Sequence, residues 1–341
     1  FKEGNYTYFY KNDGLQNHYV IYRYKTSEDP STAEVFLDPN TFSEDGKTSL
    51  SQLSFSENGK IAVYSVSIGG SDWRKVLIMD AISKEIVEDT LHDIKFSNLS
   101  WKGNEGFFYS SYDKPKRSEL SDKTDQHKLY YHKLGTPQSS DKVVFGGLPS
   151  EKHRYVFGDV SEDSRYLTIQ AYNVSTGFKL FIKDLNNPNR KLIPIVDHSD
   201  SNTTLLRNEG NDLFLSTNLE APNNKIVKTT INNPSPKYWE DFIPETENVF
   251  SDASGGKYIF TEYMIDAISK VYQYDLEGKL VREVNLPGLG SVGSFGAKKE
   301  ENETYYSFTN YTTPGSIFLY NMETGISELH RKSGIDFNPD N

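Results

Sequence analysis

Cysteine is missing from all 341 residues, and its absence excludes disulfides, thiolate metal sites and cysteine nucleophiles together. No apolar run approaches the roughly 20 residues that a membrane helix needs, and Phe1-Lys2-Glu3-Gly4 does not open a signal peptide. A start so close to the strand-like Tyr6–Tyr10 leads us to expect that the sequence was cut from a longer one. Basic residues are in deficit. A net charge of -11 argues against a nucleic-acid or anionic-membrane partner, because phosphate binding needs clustered Lys and Arg.

Several catalytic patterns are lacking as well. A hydrolase elbow of the type Gly-x-Ser-x-Gly exposes its serine between a strand and a helix, and none occurs. Ser294 has Gly296 after it but Val292 before it, and Ser71 has Gly69 before it but Trp73 after it; both read as loop serines. There is no HExxH, P-loop or EF-hand pattern. His127 and His132 flank a strand start at a spacing that points them to opposite faces, so they do not share a metal. The remaining histidines, His18, His92, His153, His198 and His330, are scattered and read as surface or capping residues. A propeller glycosidase would need inward-facing acids, where the chain mostly offers Ser, Thr, Gly and apolar residues. We therefore expect no metal, no cofactor and no catalytic residue in this chain.

What is present is aromatic and repetitive. Tyr and Phe number 23 and 20, while apolar faces of helical period are scarce, so the expected core is stacked sheet with almost no helix. The stretch from Ser254 to Leu286 sets the pattern, with strands at Tyr258–Tyr263, Val271–Asp275 and Leu280–Val284, the first two joined by a polar loop and the last two by the turn Leu276-Glu277-Gly278-Lys279. Related strands begin near Lys75, Lys128, Lys179, Lys225, Lys270 and Ser316, and one lies at His18–Tyr22. Their spacing, roughly 45 to 55 residues, suits blade repeats. The expected fold is all-β: one seven-bladed propeller of four-stranded antiparallel blades over residues 1–341, with blades near 1–50, 51–95, 96–150, 151–197, 198–245, 246–287 and 288–335. Within it, Ile86-Val87 begins an outer edge, Phe96–Trp101 forms a strand, and Asp113–Gln126 is a long polar loop of the kind that is usually functional. Both termini fall near blade boundaries, so ring closure rests on apolar packing instead of a shared strand.

Particular residues carry a resemblance. Asn12-Asp13-Gly14-Leu15-Gln16-Asn17, Val35–Asn40, Gly70-Ser71-Asp72-Trp73, Ile94-Lys95-Phe96-Ser97, His127–Thr136 and Phe308-Thr309-Asn310-Tyr311 resemble the propeller of prolyl oligopeptidases over essentially the whole chain. The resemblance implies a non-catalytic lid over a separate α/β-hydrolase domain, which carries the Ser-Asp-His triad and cleaves short peptides after proline. The partners implied are that domain and short proline-containing peptides. It further implies that Phe96 contacts substrate beyond the proline pocket and that Asp72 and Trp73 form an inner loop near the domain interface, with Tyr155 and Asn173 also lining the cavity. Animal members carry Arg and Cys near the positions of Gln170 and Asn173, so a pairing of that Arg with Asp72 is not available here. Asp336-Phe337-Asn338-Pro339 resembles the exit toward the hydrolase domain. The wording is similar to bacterial members, which favours the periplasm over the cytoplasm. The alternative is an autonomous propeller that binds a protein or peptide, against which the missing Trp-Asp repeat signature weighs.

Overall fold

A computed structural model describes residues 1–115, 124–149, 151–187, 189–293, 295–332 and 334. Seven four-stranded sheets account for all the named strands, each an antiparallel meander of four consecutive strands. By residue number the sheets span 2–37, 48–95, 100–146, 155–196, 203–243, 249–283 and 291–331. Four short 3₁₀ turns are the only helical elements among the described residues. This is the seven-bladed β-propeller fold that the repeats predict. No strand is exchanged between the first and last sheets among the described residues.

The chain forms two compact units, residues 1–193 and 194–341. In the first unit, successive blades are glued by apolar layers. Tyr8, Phe36, Tyr64 and Met79 fill one layer, Ile78, Leu91, Trp101 and Phe107 the next, and Phe108, Leu129, Val156 and Leu167 a third. Their alternation in the strands leaves every second side chain for a neighbouring blade, so the apolar area left uncovered by one sheet is removed from water by the next. Gly158 belongs to this fit, since a Cβ there would lie 2.7 Å from a methyl of buried Leu129. In the second unit the equivalent layers hold Phe214, Ile226, Phe250 and Ile259, then Phe260, Phe295, Tyr306 and Tyr320.

Polar staples recur beside these layers. Buried Arg23 of the first blade pairs with Glu34 at 2.7 Å and donates to the carbonyls of Ala81 and Ile82 in the second. Buried Arg207 of the fifth blade likewise donates to the Gly256 carbonyl of the sixth. Such guanidinium groups tolerate burial because carbonyls and a carboxylate take up most of their donors, although the Arg207 Nε is left without a partner among the described residues.

Three local readings of the sequence need correction. Ile86 makes only an isolated bridge to Met79, and the outer strand of the second blade is Leu91–Lys95. Phe96 is not in a strand: it turns the chain between Leu91–Lys95 and Ser100–Lys102, with a left-handed φ of 53°. In the sixth blade the polar loop after Tyr263 is instead a two-residue turn, Asp266-Ala267, with φ of 51° and 63°, between Ile259–Ile265 and Ile268–Tyr274. Positive φ at both central residues is what a hairpin of this length demands, and here it is met without glycine.

Candidate functional site

The residues singled out by the sequence lie in the first unit, where the second, third and fourth blades meet. The hairpin between Ile61–Ile68 and Trp73–Asp80 reverses through Gly69 and Gly70, at φ of 60° and 74°. Left-handed backbone in tandem is easy only for glycine, and it sets Asp72 and Trp73 at the end of the blade. Trp73 is in register with Lys95 on the outer strand. The Lys95 ammonium lies 5.1 Å from the Trp73 ring centre and 5.2 Å from that of Phe96. It is also 3.8 Å from the Asp72 carboxylate. Lys95 is thus the cation that joins Asp72, Trp73 and Phe96.

Phe96 continues the cluster into the fourth blade. Its ring meets the Tyr155 ring edge-on at 5.4 Å and Tyr112 at 6.4 Å. Tyr155 opens the strand Tyr155–Val160, on the same face as Phe157, whose ring is stacked at 6.3 Å. Arg154 covers Tyr155 at 5.3 Å, and Phe157 meets Tyr172 at 5.9 Å. Edge-to-face pairs of this kind add about 0.5–1.5 kcal/mol each beyond area burial. Together they form a half-exposed aromatic surface with Lys95 and Arg154 on its margin.

Asn173 is exposed and stands apart from these rings. With its amide nitrogen turned toward the backbone it donates to the carbonyls of Tyr172 and Lys152, at 3.0 and 2.8 Å. Gln170 accepts from the Tyr172 hydroxyl at 3.0 Å. The structure therefore gathers Asp72, Trp73, Phe96 and Tyr155 and leaves Asn173 in a backbone-binding role.

Behind the aromatic surface sits His127, which the sequence considered only beside His132, as a pair that shares no metal. It is fully buried, 4.4 Å from Tyr112 and edge-on to Tyr155 and Phe157. The Val156 amide donates to Nδ1 at 2.7 Å, and Nε2 is 2.9 Å from the Lys95 carbonyl. A carbonyl only accepts, so the ring is neutral with its proton on Nε2. Burial pushes its pKa down to about 4, against the smaller opposing effect of the two backbone bonds. Tyr112, whose hydroxyl donates to the Arg154 carbonyl, is pushed up to about 12 by burial.

His132, at the other end of the strand Lys128–Lys133, is buried between Asp141 at 2.9 Å and Glu88 at 3.2 Å. Burial lowers its pKa, but the bonds and charges of Asp141 and then Glu88 outweigh that and raise it. His153 is buried too, stacked at 5.2 Å on Phe145. Its placement corrects the surface reading, for Phe145 and the blade edge cover it. No group of three His, Asp or Glu residues among the described residues is placed to hold a metal ion. No helix there is long and apolar enough to cross a membrane.

The loop at 113–126 is described only at its ends, where Asp113 pairs with Lys128 at 2.6 Å and Asp125 with Lys152 at 2.6 Å. Residues 116–123, Ser294 and the Asp336–Pro339 segment lie outside the described residues.

Residues 1–333 match the prolyl oligopeptidase N-terminal beta-propeller domain. The chain belongs to that family. It is 53% identical to a prolyl endopeptidase of Elizabethkingia miricola over 100% of the chain and 48% of the relative. A prolyl oligopeptidase A of Amanita bisporigera is 30% identical over 93% of the chain and 45% of the relative. Among solved structures, one of two prolyl endopeptidases studied for inter-domain dynamics superposes with a TM-score of 0.89 at 26% identity, covering 99% of this chain and 48% of that one. The chain spans about half the length of these relatives. It is a prolyl oligopeptidase propeller, and the relatives carry a second domain over the rest of their length.

Lys95, Tyr112, His127, Arg154, Phe157 and Tyr172 are the members of the cluster that sequence reasoning missed. Lys95 was within reach, because it precedes Phe96 and its strand pairs with Trp73.

Proposed function

We propose that this chain is the propeller half of a serine endopeptidase that cleaves short peptides after proline, and that it restricts which peptides reach a catalytic centre supplied by the rest of the protein. In this reading Phe96, Tyr155 and Trp73 receive substrate side chains beyond the proline, with Asp72 at their edge and Asn173 at the margin. The observation that carries the reading is the match of residues 1–333 to the N-terminal propeller, in a chain that spans half of full-length peptidases. The aromatic surface supports it, since flat rings bury proline and apolar side chains with little loss of side-chain freedom.

The test is made on the native source, by isolating the polypeptide that an antibody to this chain recognises and treating it with an active-serine probe. Covalent labelling of a band about twice this chain's size, as the 48% coverage implies, is the expected result. An unlabelled band of this chain's own size would favour a propeller that binds a partner alone.

A further inference from the structure

The Phe96 side chain depends on an unusual backbone. A left-handed φ at a bulky aromatic residue is disfavoured and persists only where the surroundings fix it. Here both sides of the preceding residue are held. The Lys95 amide donates to the Ser111 hydroxyl at 3.1 Å, and that hydroxyl donates to the Asp93 carbonyl at 2.6 Å. Asp93, within the irregular strand Leu91–Lys95, itself has a φ of 58°, so two left-handed residues lie three apart on the approach to and at the turn. After the turn, Ser97 accepts from the Ser110 amide at 2.8 Å, and Asn98 donates to the Gly158 carbonyl at 2.9 Å.

The Lys95 carbonyl is the remaining handle. It belongs to the peptide plane that joins Lys95 to Phe96, so with the Lys95 amide already held, fixing the carbonyl's direction constrains the φ of Phe96. That carbonyl is held by His127, whose other nitrogen is tied to the fourth blade through Val156, the residue after Tyr155. The imidazole therefore spans the turn that carries Phe96 and the strand that carries Tyr155. Its own backbone is anchored, because the His127 amide donates to the His153 carbonyl at 3.1 Å.

We propose that His127 is a positioning residue for substrate recognition: by bridging the Lys95 carbonyl to the Val156 amide, it fixes the left-handed turn that aims the Phe96 ring at Tyr155. The proposal rests on the reading of Phe96 as a substrate contact given above. His127 is itself fully buried, behind the surface that a peptide would cover and against the rings of Tyr112, Tyr155 and Phe157, and it acts on recognition by holding the turn that carries Phe96.

Three variants test it: His127→Gln, His127→Leu and His127→Asn. Glutamine offers an acceptor and a donor over a similar reach, leucine offers neither, and asparagine is polar but too short to reach both partners. Amide hydrogen exchange is read on this chain. Steady-state kinetics are read on the full-length protein that carries it, with a proline reporter extended on its N-terminal side. The leucine and asparagine variants are expected to exchange the Val156 amide and the 93–97 turn about tenfold faster. They are also expected to raise KM about tenfold with kcat little changed. Glutamine restores both. Unchanged exchange at 93–97 in the loss variants, or a glutamine variant as defective as leucine, overturns the proposal. Phe96→Ala separates the two readings. If it leaves KM unchanged while the loss variants still exchange faster, the positioning role stands and the substrate role of Phe96 falls.

Discussion

His127 and His132 stand at opposite ends of one strand, both buried, and their chemistry is opposite. His127 faces aromatic rings and two backbone groups, with no charged side chain bonded to its ring, so burial dominates and the neutral form is favoured. His132 lies between two carboxylates, and the charged form is favoured despite burial. Burial alone thus does not set the state of a histidine; the groups that complete its hydrogen bonds do. The two ends of the strand differ in use as well. The charged end clamps the second and third blades through Glu88 and Asp141, whereas the neutral end holds a turn beneath a half-exposed aromatic surface.

The largest effect should follow from breaking the charged end. His132→Leu leaves Asp141, which is 3% exposed, with only the Tyr109 hydroxyl at 2.9 Å, and leaves Glu88 with the Gly135 amide. Removing one member of a buried ion pair costs about 3 kcal/mol or more. Urea unfolding should report a loss of that order, with little change in the aromatic cluster.

The comparison sharpens under pH. A histidine with a raised pKa contributes stability that is fully present below its unfolded value, about 6.5, and is lost as pH rises through the folded value. His132 therefore gives a declining limb on the alkaline side. A histidine with a lowered pKa behaves oppositely. The His127 contribution is full above about 6.5 and is lost as pH falls toward its folded value of about 4, a span worth on the order of 3 kcal/mol. Unfolding free energies measured across pH should show His127→Gln flattening the acid limb and His132→Leu the alkaline one. Any exchange of those assignments would break the comparison.

The smallest effect is expected at the surface near the same turn. Lys114 and Asp93 pair at 2.8 Å, with side chains 51% and 40% exposed. Lys114→Ala should change stability by no more than about 0.5 kcal/mol, and added salt should erase the difference.

Much of the fold was legible because it is written locally. Alternating β-branched and aromatic residues mark most of the strands, turns such as Asp13-Gly14 and Asn58-Gly59 bound a few of them, and the recurrence of the strands marks the blades. Elements with weak local signals were missed. Lys2–Glu3 is a strand of two residues, too short for alternation to appear. Ile86-Val87 has strand composition but lies where only one bridge forms, while Leu91–Lys95 takes the edge. The Asp266-Ala267 turn lacks the glycine by which such turns are recognised.

The site was legible in part for a similar reason. Asp72, Trp73, Phe96 and Tyr155 were reached through motifs, but their meeting depends on Lys95 and His127, which act across blades. His127 receives the amide of Val156, 29 residues away, and binds the carbonyl of Lys95, 32 residues away. No local pattern encodes such a bridge, so a histidine at a strand start was weighed only as a metal ligand with His132 and set aside. The strain at Phe96 was equally hidden, for a residue type does not disclose its φ.

The most direct test is a pH titration of this chain labelled with nitrogen-15 in its histidine rings, followed by NMR. The account predicts that His127 keeps its proton on Nε2 and stays neutral from pH 8 down to about 4. His132 should hold both ring protons to a pH above the ordinary imidazole value of about 6.5. Titration of His127 near 6.5, or a proton on its Nδ1, would contradict the bridge to Lys95 and Val156, and with it the claim that this end of the strand holds Phe96 in place.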